Sequence, residues 1–144
     1  MQGKLRGLAD KAGWTTYAKI EFGHLLPKGA MTICNWVSIK NGKSLYEDFC
    51  VRCHMPNGKG QEGIIPPLAK SDFLFKHMEE SIKALKFGGI DGVITVNGVK
   101  YDSRMEKMGL YDDEIADIMN YTLNSWGNKY NERITEKDVS VIKK

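Results

Sequence analysis

The chain has 144 residues, of which 42% are hydrophobic and 27% charged, a composition that is ordinary for a soluble globular protein. Its length predicts one domain with a core large enough to fold without disulfide bonds. Its apolar runs are shorter than a bilayer-spanning helix. A net charge of +3 without a dense basic stripe also excludes the usual nucleic-acid-binding surface.

The positive charge lies in the first part of the chain. Residues 1–41 hold six basic and two acidic residues, whereas residues 42–144 hold 15 basic and 16 acidic ones. The first segment carries glycines and scattered aromatic residues without a sustained period, so we predict an irregular N-terminal extension over residues 1–41. Such a segment is either a solvated extension or a docking arm for an acidic partner or surface.

The first predicted helix leads into a pair of cysteines. Asn41-Gly42 precedes this helix, and Ser44 is a suitable N-cap. The residues that follow at helical spacing are Tyr46, Phe49, Cys50 and Cys53. Residues 55–67 are rich in proline and glycine and predict a loop. The cysteine pair therefore lies at the end of a short helix, directly before a loop.

A second helix and a hairpin follow. The helix begins at Ser71 or Asp72 and ends at a Gly-Gly pair. Residues 93–96 and 99–101 are rich in valine and flank Asn97-Gly98, a pair that favours a two-residue type I′ turn. This is the clearest strand signal in the chain, and it predicts one small β-hairpin.

The strongest helix signal begins at Asp112, after a loop over residues 103–109. Three acidic residues in its first turn are favourable at the positive end of the helix dipole, and Gly127 is predicted to end it. Its predicted apolar face consists of Ile115, Ile118, Met119, Thr122 and Trp126. The remaining residues, 131–144, are predicted to form a polar C-terminal tail with at most one short turn. The fold class is therefore all-α, with a domain over residues 42–130.

The sequence Cys50-Val-Arg-Cys53-His54 brings together two of three cysteines and one of three histidines. A thioredoxin-like redox pair requires a βαβ context, which is missing here. A zinc site requires four converging ligands, and adjacent Cys53 and His54 rarely converge on one tetrahedral ion. The third chemistry is covalent haem attachment, for which Cys-x-x-Cys-His is the known signature.

The spacing explains how such a motif holds haem. Two cysteines one helical turn apart point the same way, so both sulfurs can add to the two vinyl groups along one haem edge. The following His54 can then ligate the iron from below the ring. A sixth ligand must come from a distant part of the chain, and methionine is the ligand typical of electron-carrying cytochromes. The methionines on the predicted loop before the last helix, Met105 and Met108, are both candidates.

Three stretches of the chain resemble bacterial class I c-type cytochromes. They are "YEDFCVRCHMPNGKGQEGIIPPLAKSDFL", "GGIDGVITVNGVKYDSRM" and "YDDEIADIMNYTLNSWGN", and the resemblance covers roughly residues 42–128. It implies the monohaem cytochrome c fold of three or more helices around one covalent haem c. It also implies that Gly42 and Tyr46 on the first helix pack against Tyr121 on the last.

The resemblance further implies roles for individual residues. Pro66 and Leu68 match the family's Pro-x-Leu, in which the proline carbonyl accepts the N–H of the proximal histidine. Met105 matches the methionine ligand, so the axial pair is His54 and Met105, although Glu106 stands where the family has proline. The residues expected to line the haem are Leu68, Phe73, Phe75, Leu85, Val96, Ile115 and Tyr121.

Function and location follow from the same resemblance. We expect a one-electron carrier between respiratory partner proteins, free or as a subunit of a membrane-associated complex, in the periplasm or on the outer face of the cytoplasmic membrane. No catalytic carboxylate pair or nucleophile is evident, so the protein is not expected to be an enzyme itself. A haem protein with an open or atypical sixth position is the alternative. Cys34 is expected to be a buried small hydrophobe, and the alternative is a functional thiol that serves as an unusual axial ligand or as a lipid or disulfide site. His24 and His77 are expected to be satisfied or exposed histidines and not ligands.

Overall fold

A computed structural model describes residues 33–144. Its helices are α1 (Ile33–Phe49), α2 (Val51–His54), α3 (Asp72–Lys76), α4 (Met78–Lys83), α5 (Asp112–Thr122) and α6 (Glu136–Ser140). A π-helical turn at Ala84–Gly88 continues α4, and the strands are β1 (Ile94–Val96) and β2 (Val99–Tyr101). This part of the chain is thus mostly helical with one small hairpin, as predicted. Within it, no helix is both long and apolar enough to cross a membrane.

The first helix is longer than its predicted form. It begins at Ile33 and not near Ser44, so residues 33–41 of the predicted irregular extension are helical, and the predicted boundary at residue 41 falls inside α1. Asn41-Gly42, expected to precede the helix, lies within it because Gly42 is buried where α1 crosses α5. The rest of the predicted extension, residues 1–32, lies outside the described residues.

Gly42 sets the distance between α1 and α5. A Cβ atom at this position would overlap the carbonyl oxygen of Asp117 and lie 2.8 Å from the Cβ of Tyr121. One turn further along, the rings of Tyr46 and Tyr121 pack with their centroids 5.4 Å apart. The predicted packing of Gly42 and Tyr46 against Tyr121 is therefore present, and it fixes where α1 delivers the cysteine pair.

The second predicted helix is broken at its middle. Ser71 caps α3 by accepting a hydrogen bond from the Leu74 N–H at 3.1 Å, which confirms the predicted start. His77 then leaves the helical region, with φ −125° and ψ 54°, while its ring stacks on Phe73 and hydrogen-bonds to Glu80 in the next helix. The helix resumes as α4, and the π-helical turn that continues it ends at the predicted glycine pair.

The hairpin has the predicted turn. Ile94 pairs with Tyr101 and Val96 with Val99, and both turn residues, Asn97 and Gly98, have positive φ angles of 49° and 85°. The turn is attached to the start of α3, since the Asn97 N–H donates to the Asp72 carboxylate at 2.7 Å. That bond holds the pKa of Asp72 below its ordinary value.

The last long helix ends at Thr122 and not at Gly127. Two side chains form hydrogen bonds to carbonyl groups of its final turn. The Asn124 amide donates to Asn120 O at 2.9 Å, and the Ser125 hydroxyl donates to Tyr121 O at 2.6 Å. Such local bonds compete with continuation of the helix. The residues that follow form turns, in which Trp126 has a φ angle of 55°.

The predicted polar tail belongs to the core. Thr135 caps α6, and both Ile134 and Val139 are buried beside the inward face of α5. The buried Asn120 side chain bonds both backbone groups of Ile134 at 2.8 Å. Lys86 reaches across and donates to Val139 O at 2.8 Å. The boundary predicted at residue 130 therefore needs correction, because the folded unit continues through α6.

Replacing Val139 by alanine should test this packing. Val139 is 0% exposed, whereas Val141, two residues further on, is 61% exposed. Val139→Ala should lower the free energy of unfolding by about 2 kcal/mol, and Val141→Ala by no more than about 0.5 kcal/mol. Denaturant titration of both variants measures the difference. Equal stability of the two variants would show that α6 is not part of the core.

Candidate haem site

A cavity of about 300 Å³ opens between the end of α2, the loops at residues 64–68 and 103–108, the hairpin and α5. Its walls are mostly apolar. Four of the seven predicted lining residues border it: Leu68, Phe73, Leu85 and Val96. The other three lie elsewhere in the fold. Phe75 is exposed, Ile115 is in the core cluster with Val139, and Tyr121 packs on Tyr46. These three were wrongly assigned because an apolar residue type does not reveal which face it occupies.

Both cysteines of the motif border this cavity, together with His54. Cys50 ends the turn that follows α1, with its N–H donating to Tyr46 O at 2.9 Å, and His54 N–H donates to Cys50 O at 2.9 Å. Cys50 and Cys53 are thus one helical turn apart on the same wall. Burial raises the pKa of the Cys50 thiol to about 11, and the neighbouring Cys53 sulfur adds to the rise.

His54 is oriented by a backbone carbonyl. The residue is only 9% exposed, and its Nδ1 donates to Pro66 O across 3.0 Å. This bond leaves Nε2 as the nitrogen that can ligate a metal. Burial lowers the pKa of His54 below its ordinary value, and the bond to Pro66 opposes the effect only in part. The ring is therefore neutral near neutral pH, which is the form that binds iron.

The loop that carries Pro66 folds back tightly onto the histidine. Gly60 N–H donates to His54 O at 3.0 Å, while Leu68 N–H donates to Gly58 O at 2.7 Å. Gly60 has a φ angle of 61°, and a Cβ atom there would collide with Ile65 O and lie 2.8 Å from Pro66 O. A side chain at residue 60 would therefore push the accepting carbonyl away from His54.

An aromatic cluster of Tyr46, Tyr121 and Trp126 supports the turn after His54, and of these three residues Tyr46 also borders the cavity. The Tyr46 hydroxyl donates to Met55 O at 2.6 Å, and its ring packs on Tyr121 and Trp126 at centroid distances of 5.4 and 5.2 Å. Burial raises the pKa of Tyr46, with smaller contributions from Cys50 and Tyr121, so the hydroxyl stays protonated as a donor. Sequence reasoning found Tyr46 and Tyr121 but not the part played by Trp126.

Both candidate methionines, Met105 and Met108, border the cavity. The loop that carries them has a Glu where a proline was expected, and it is held instead by side-chain contacts. The Ser103 hydroxyl donates to Ile64 O, and Arg104 pairs with Asp91. A Cβ atom on Gly89 would lie 3.0 Å from the Met105 N, so the loop packs closely on the end of the π-helical turn.

The polar residues that border the cavity and were not selected from the sequence include Ser81, Arg104 and Glu106. The last two flank Met105 directly, and that adjacency was the available signal. Cys34, predicted to be buried, is exposed in the first turn of α1, so that prediction was wrong. His77 is exposed and stacks on Phe73, and it is not among the residues that border the cavity. His24 lies outside the described residues.

The chain matches known cytochromes over its folded part. The family model described as Cytochrome c matches residues 39–126. Cytochrome c-552 of Thermus thermophilus is 37% identical over 93 residues, covering 61% of this chain and 70% of that protein. For a second cytochrome c-552 of the same species the identity is again 37%, over 61% of this chain and 62% of the relative. The cytochrome c subunit of the quinone alcohol dehydrogenase of Gluconobacter oxydans is 29% identical over 105 residues, which are 71% of this chain but only 22% of the subunit.

A helical fold built around an apolar cavity, with a Cys-x-x-Cys-His motif in its wall, defines a monohaem class I c-type cytochrome. This chain belongs to the cytochrome c family. Its cofactor is covalently attached haem c, and its general activity is electron transfer. The residues present fit that cofactor, because two sulfurs that can form thioethers, an oriented neutral imidazole and two thioether side chains border one apolar cavity.

Two glycines in one loop give a matched test of the His54 support. Gly60 and Gly63 both have positive φ angles, but a Cβ atom on Gly63 would meet nothing within 4 Å. Gly63→Ala should therefore cost only the left-handed backbone penalty of about 1 to 2 kcal/mol. Gly60→Ala should lower the free energy of unfolding of the haem-bound protein by about 1 to 3 kcal/mol more, because the Pro66 carbonyl must move. Equal losses would show that the loop gives way without disturbing its contacts.

Proposed function

We propose that this protein is a one-electron carrier with His54 and Met105 as the axial ligands of its haem iron. Cys50 and Cys53 hold the haem through thioether bonds, and electrons pass between respiratory partner proteins. The observation that carries the proposal is the contact of 3.0 Å between His54 Nδ1 and Pro66 O, beside both cysteines in one apolar cavity. A histidine with a structural role would not need this fixed tautomer next to two thiols.

Each residue has a defined task in electron transfer. When bound, the haem supplies an iron that alternates between the ferrous and ferric states. Cys50 and Cys53 prevent its loss, and the Pro66 carbonyl keeps the His54 ring in one orientation through both states. The apolar wall formed by residues such as Leu68, Leu85 and Val96 excludes water. A dry environment disfavours the additional charge of the ferric form and so raises the reduction potential.

Met105 is the preferred sixth ligand. It borders the cavity on a loop that is tied to Ile64 through Ser103 and to Asp91 through Arg104, the two residues directly before it. Attachment at both preceding residues can hold a side chain in a fixed position without the proline that relatives have at residue 106. Met108 lies further along the same loop, after Glu106 and Lys107, and is the second candidate.

A role as a subunit of a larger complex is the second candidate function. The similarity to a dehydrogenase cytochrome c subunit favours it, although the matched part is only about a fifth of that subunit. The basic segment of residues 1–41 is suited to dock on an acidic partner. In either role, haem attachment places the protein in the periplasm or on the outer face of the cytoplasmic membrane. The protein then passes electrons for an enzyme and does not itself carry out the enzyme's reaction.

Methionine ligation is tested by two alanine variants on one loop. Met105→Ala should abolish the weak long-wavelength absorption band of a methionine–ferric iron bond, lower the reduction potential and let the ferrous protein bind carbon monoxide. Met108→Ala, the matched control, should leave all three properties unchanged. Absorption spectra with and without carbon monoxide measure the effect.

Three results would contradict the assignment in different ways. If Met108→Ala alone opened the iron to carbon monoxide, the ligand would be Met108. If neither substitution changed the spectrum, the ligand would come from another residue. If the unmodified protein already bound carbon monoxide, the sixth position would be open and the ligand-binding alternative would hold.

A further inference from the structure

Asn128 is a buried polar residue behind the His54 loop, on the short segment that follows α5. It is 8% exposed, and each polar hydrogen or oxygen of its amide has a backbone partner. The amide nitrogen donates to Leu68 O at 2.8 Å and to Thr122 O at 2.7 Å, and the amide oxygen accepts from Lys70 N–H at 2.7 Å. One side chain thus joins the end of α5 to the segment directly after Pro66.

The segment that Asn128 holds is strained. Lys70 has a φ angle of 51°, a left-handed conformation that is unfavourable for a residue with a Cβ atom. It persists where surrounding contacts impose it, and Asn128 bonds to Lys70 itself and to Leu68, two residues earlier. The opposite side of the same segment is fixed by Leu68 N–H and Ala69 N–H, both of which donate to Gly58 O at 2.7 and 2.9 Å.

Trp126 holds the other part of the loop. Its indole N–H donates to Pro56 O at 2.9 Å, and a Cβ atom on Gly58 would lie 2.6 Å from its ring. Trp126 therefore supports the residues that directly follow His54, while Asn128 supports those that follow Pro66. The two partners of the His54–Pro66 hydrogen bond are held by neighbouring side chains of one short segment.

We propose that Asn128 is a positioning residue for the iron's proximal ligand. By fixing the Leu68–Lys70 turn, it keeps the Pro66 carbonyl at hydrogen-bond distance from His54 Nδ1 and thereby sets the reduction potential. This inference rests on the proposed function, in which His54 ligates the iron.

The direction of the effect follows from the chemistry of imidazole. A carbonyl that accepts the Nδ1–H makes the ring a stronger electron donor through Nε2, which stabilises ferric over ferrous iron. Loss of Asn128 would free the turn to relax toward an unstrained Lys70, and the Pro66 carbonyl would move with it. A longer, weaker bond to His54 makes the ring a poorer donor, so the reduction potential rises.

The test compares Asn128→Ala with Asn124→Ala in the full haem-bound chain. Asn124 is also an amide close to the end of α5, but its bonds go to Asn120 O and Tyr130 N–H, away from the Pro66 loop. Asn128→Ala should favour the ferrous form by about three- to tenfold, which is roughly 30 to 60 mV for a one-electron couple. Exchange of the His54 Nδ1 proton in the ferrous protein, followed by nuclear magnetic resonance, should become about tenfold faster or more. Asn124→Ala should change neither quantity.

Each outcome bears on a different statement. If the unmodified protein lacked iron-bound His54 in its resonance spectrum, the proposed function would fail before any variant is compared. If His54 is bound but Asn128→Ala leaves both the potential and the proton exchange as they were, the positioning role is overturned. If the alanine variant does not accumulate with haem, Asn128→Ser should shift both quantities in the same direction by a smaller amount. An unchanged serine variant would overturn the role equally.

Discussion

The hydrogen bond from His54 Nδ1 to Pro66 O is the contact on which the geometry of the site depends. It joins the ring of the last residue of α2 to the loop at Pro66, in addition to the backbone bond from Gly60 N–H to His54 O. The loop reaches the required position because Gly60 lets it pass close to its own carbonyl groups, and because Trp126 and Asn128 support it from the segment after α5. The His54 ring is thereby held in one orientation, with Nε2 as the nitrogen that can ligate iron.

The same dependence explains why the helices must meet as they do. α1 leads directly into the segment that contains Cys50 and His54, whereas Trp126 and Asn128, which support the His54 loop, lie on the segment after α5. The crossing of α1 and α5 therefore sets the position of the motif relative to these two side chains. Gly42 permits the crossing by leaving room for the Asp117 carbonyl. Tyr46 then links it to the site directly, since its ring packs on Tyr121 and its hydroxyl bonds to Met55 O.

The features of local origin could be predicted from the sequence. Cys50, Cys53 and His54 are recognisable because haem attachment requires that they be adjacent in sequence, and Asn97-Gly98 because only a few residue pairs form that turn.

The features that depend on contacts between distant residues could not be predicted from the sequence. α1 begins at Ile33 and continues through Asn41-Gly42, because packing on α5 overrides the local helix propensity of these two residues. The C-terminal residues look like a polar tail, yet Ile134 and Val139 are buried in the core, and Tyr130 and Ile142 pack against it. Two of the three partners of Asn128, Leu68 and Lys70, are 60 and 58 residues away and leave no local pattern.

The Cys50–His54 motif, set in the wall of the apolar cavity, is expected to carry the haem. Mass spectrometry of a proteolytic digest of the coloured protein tests this most directly. We expect one haem on the peptide that contains both Cys50 and Cys53, with neither thiol open to alkylation, and a pigment that acid and acetone do not extract. Extraction of free haem, or haem on a peptide that contains Cys34 instead, would contradict it.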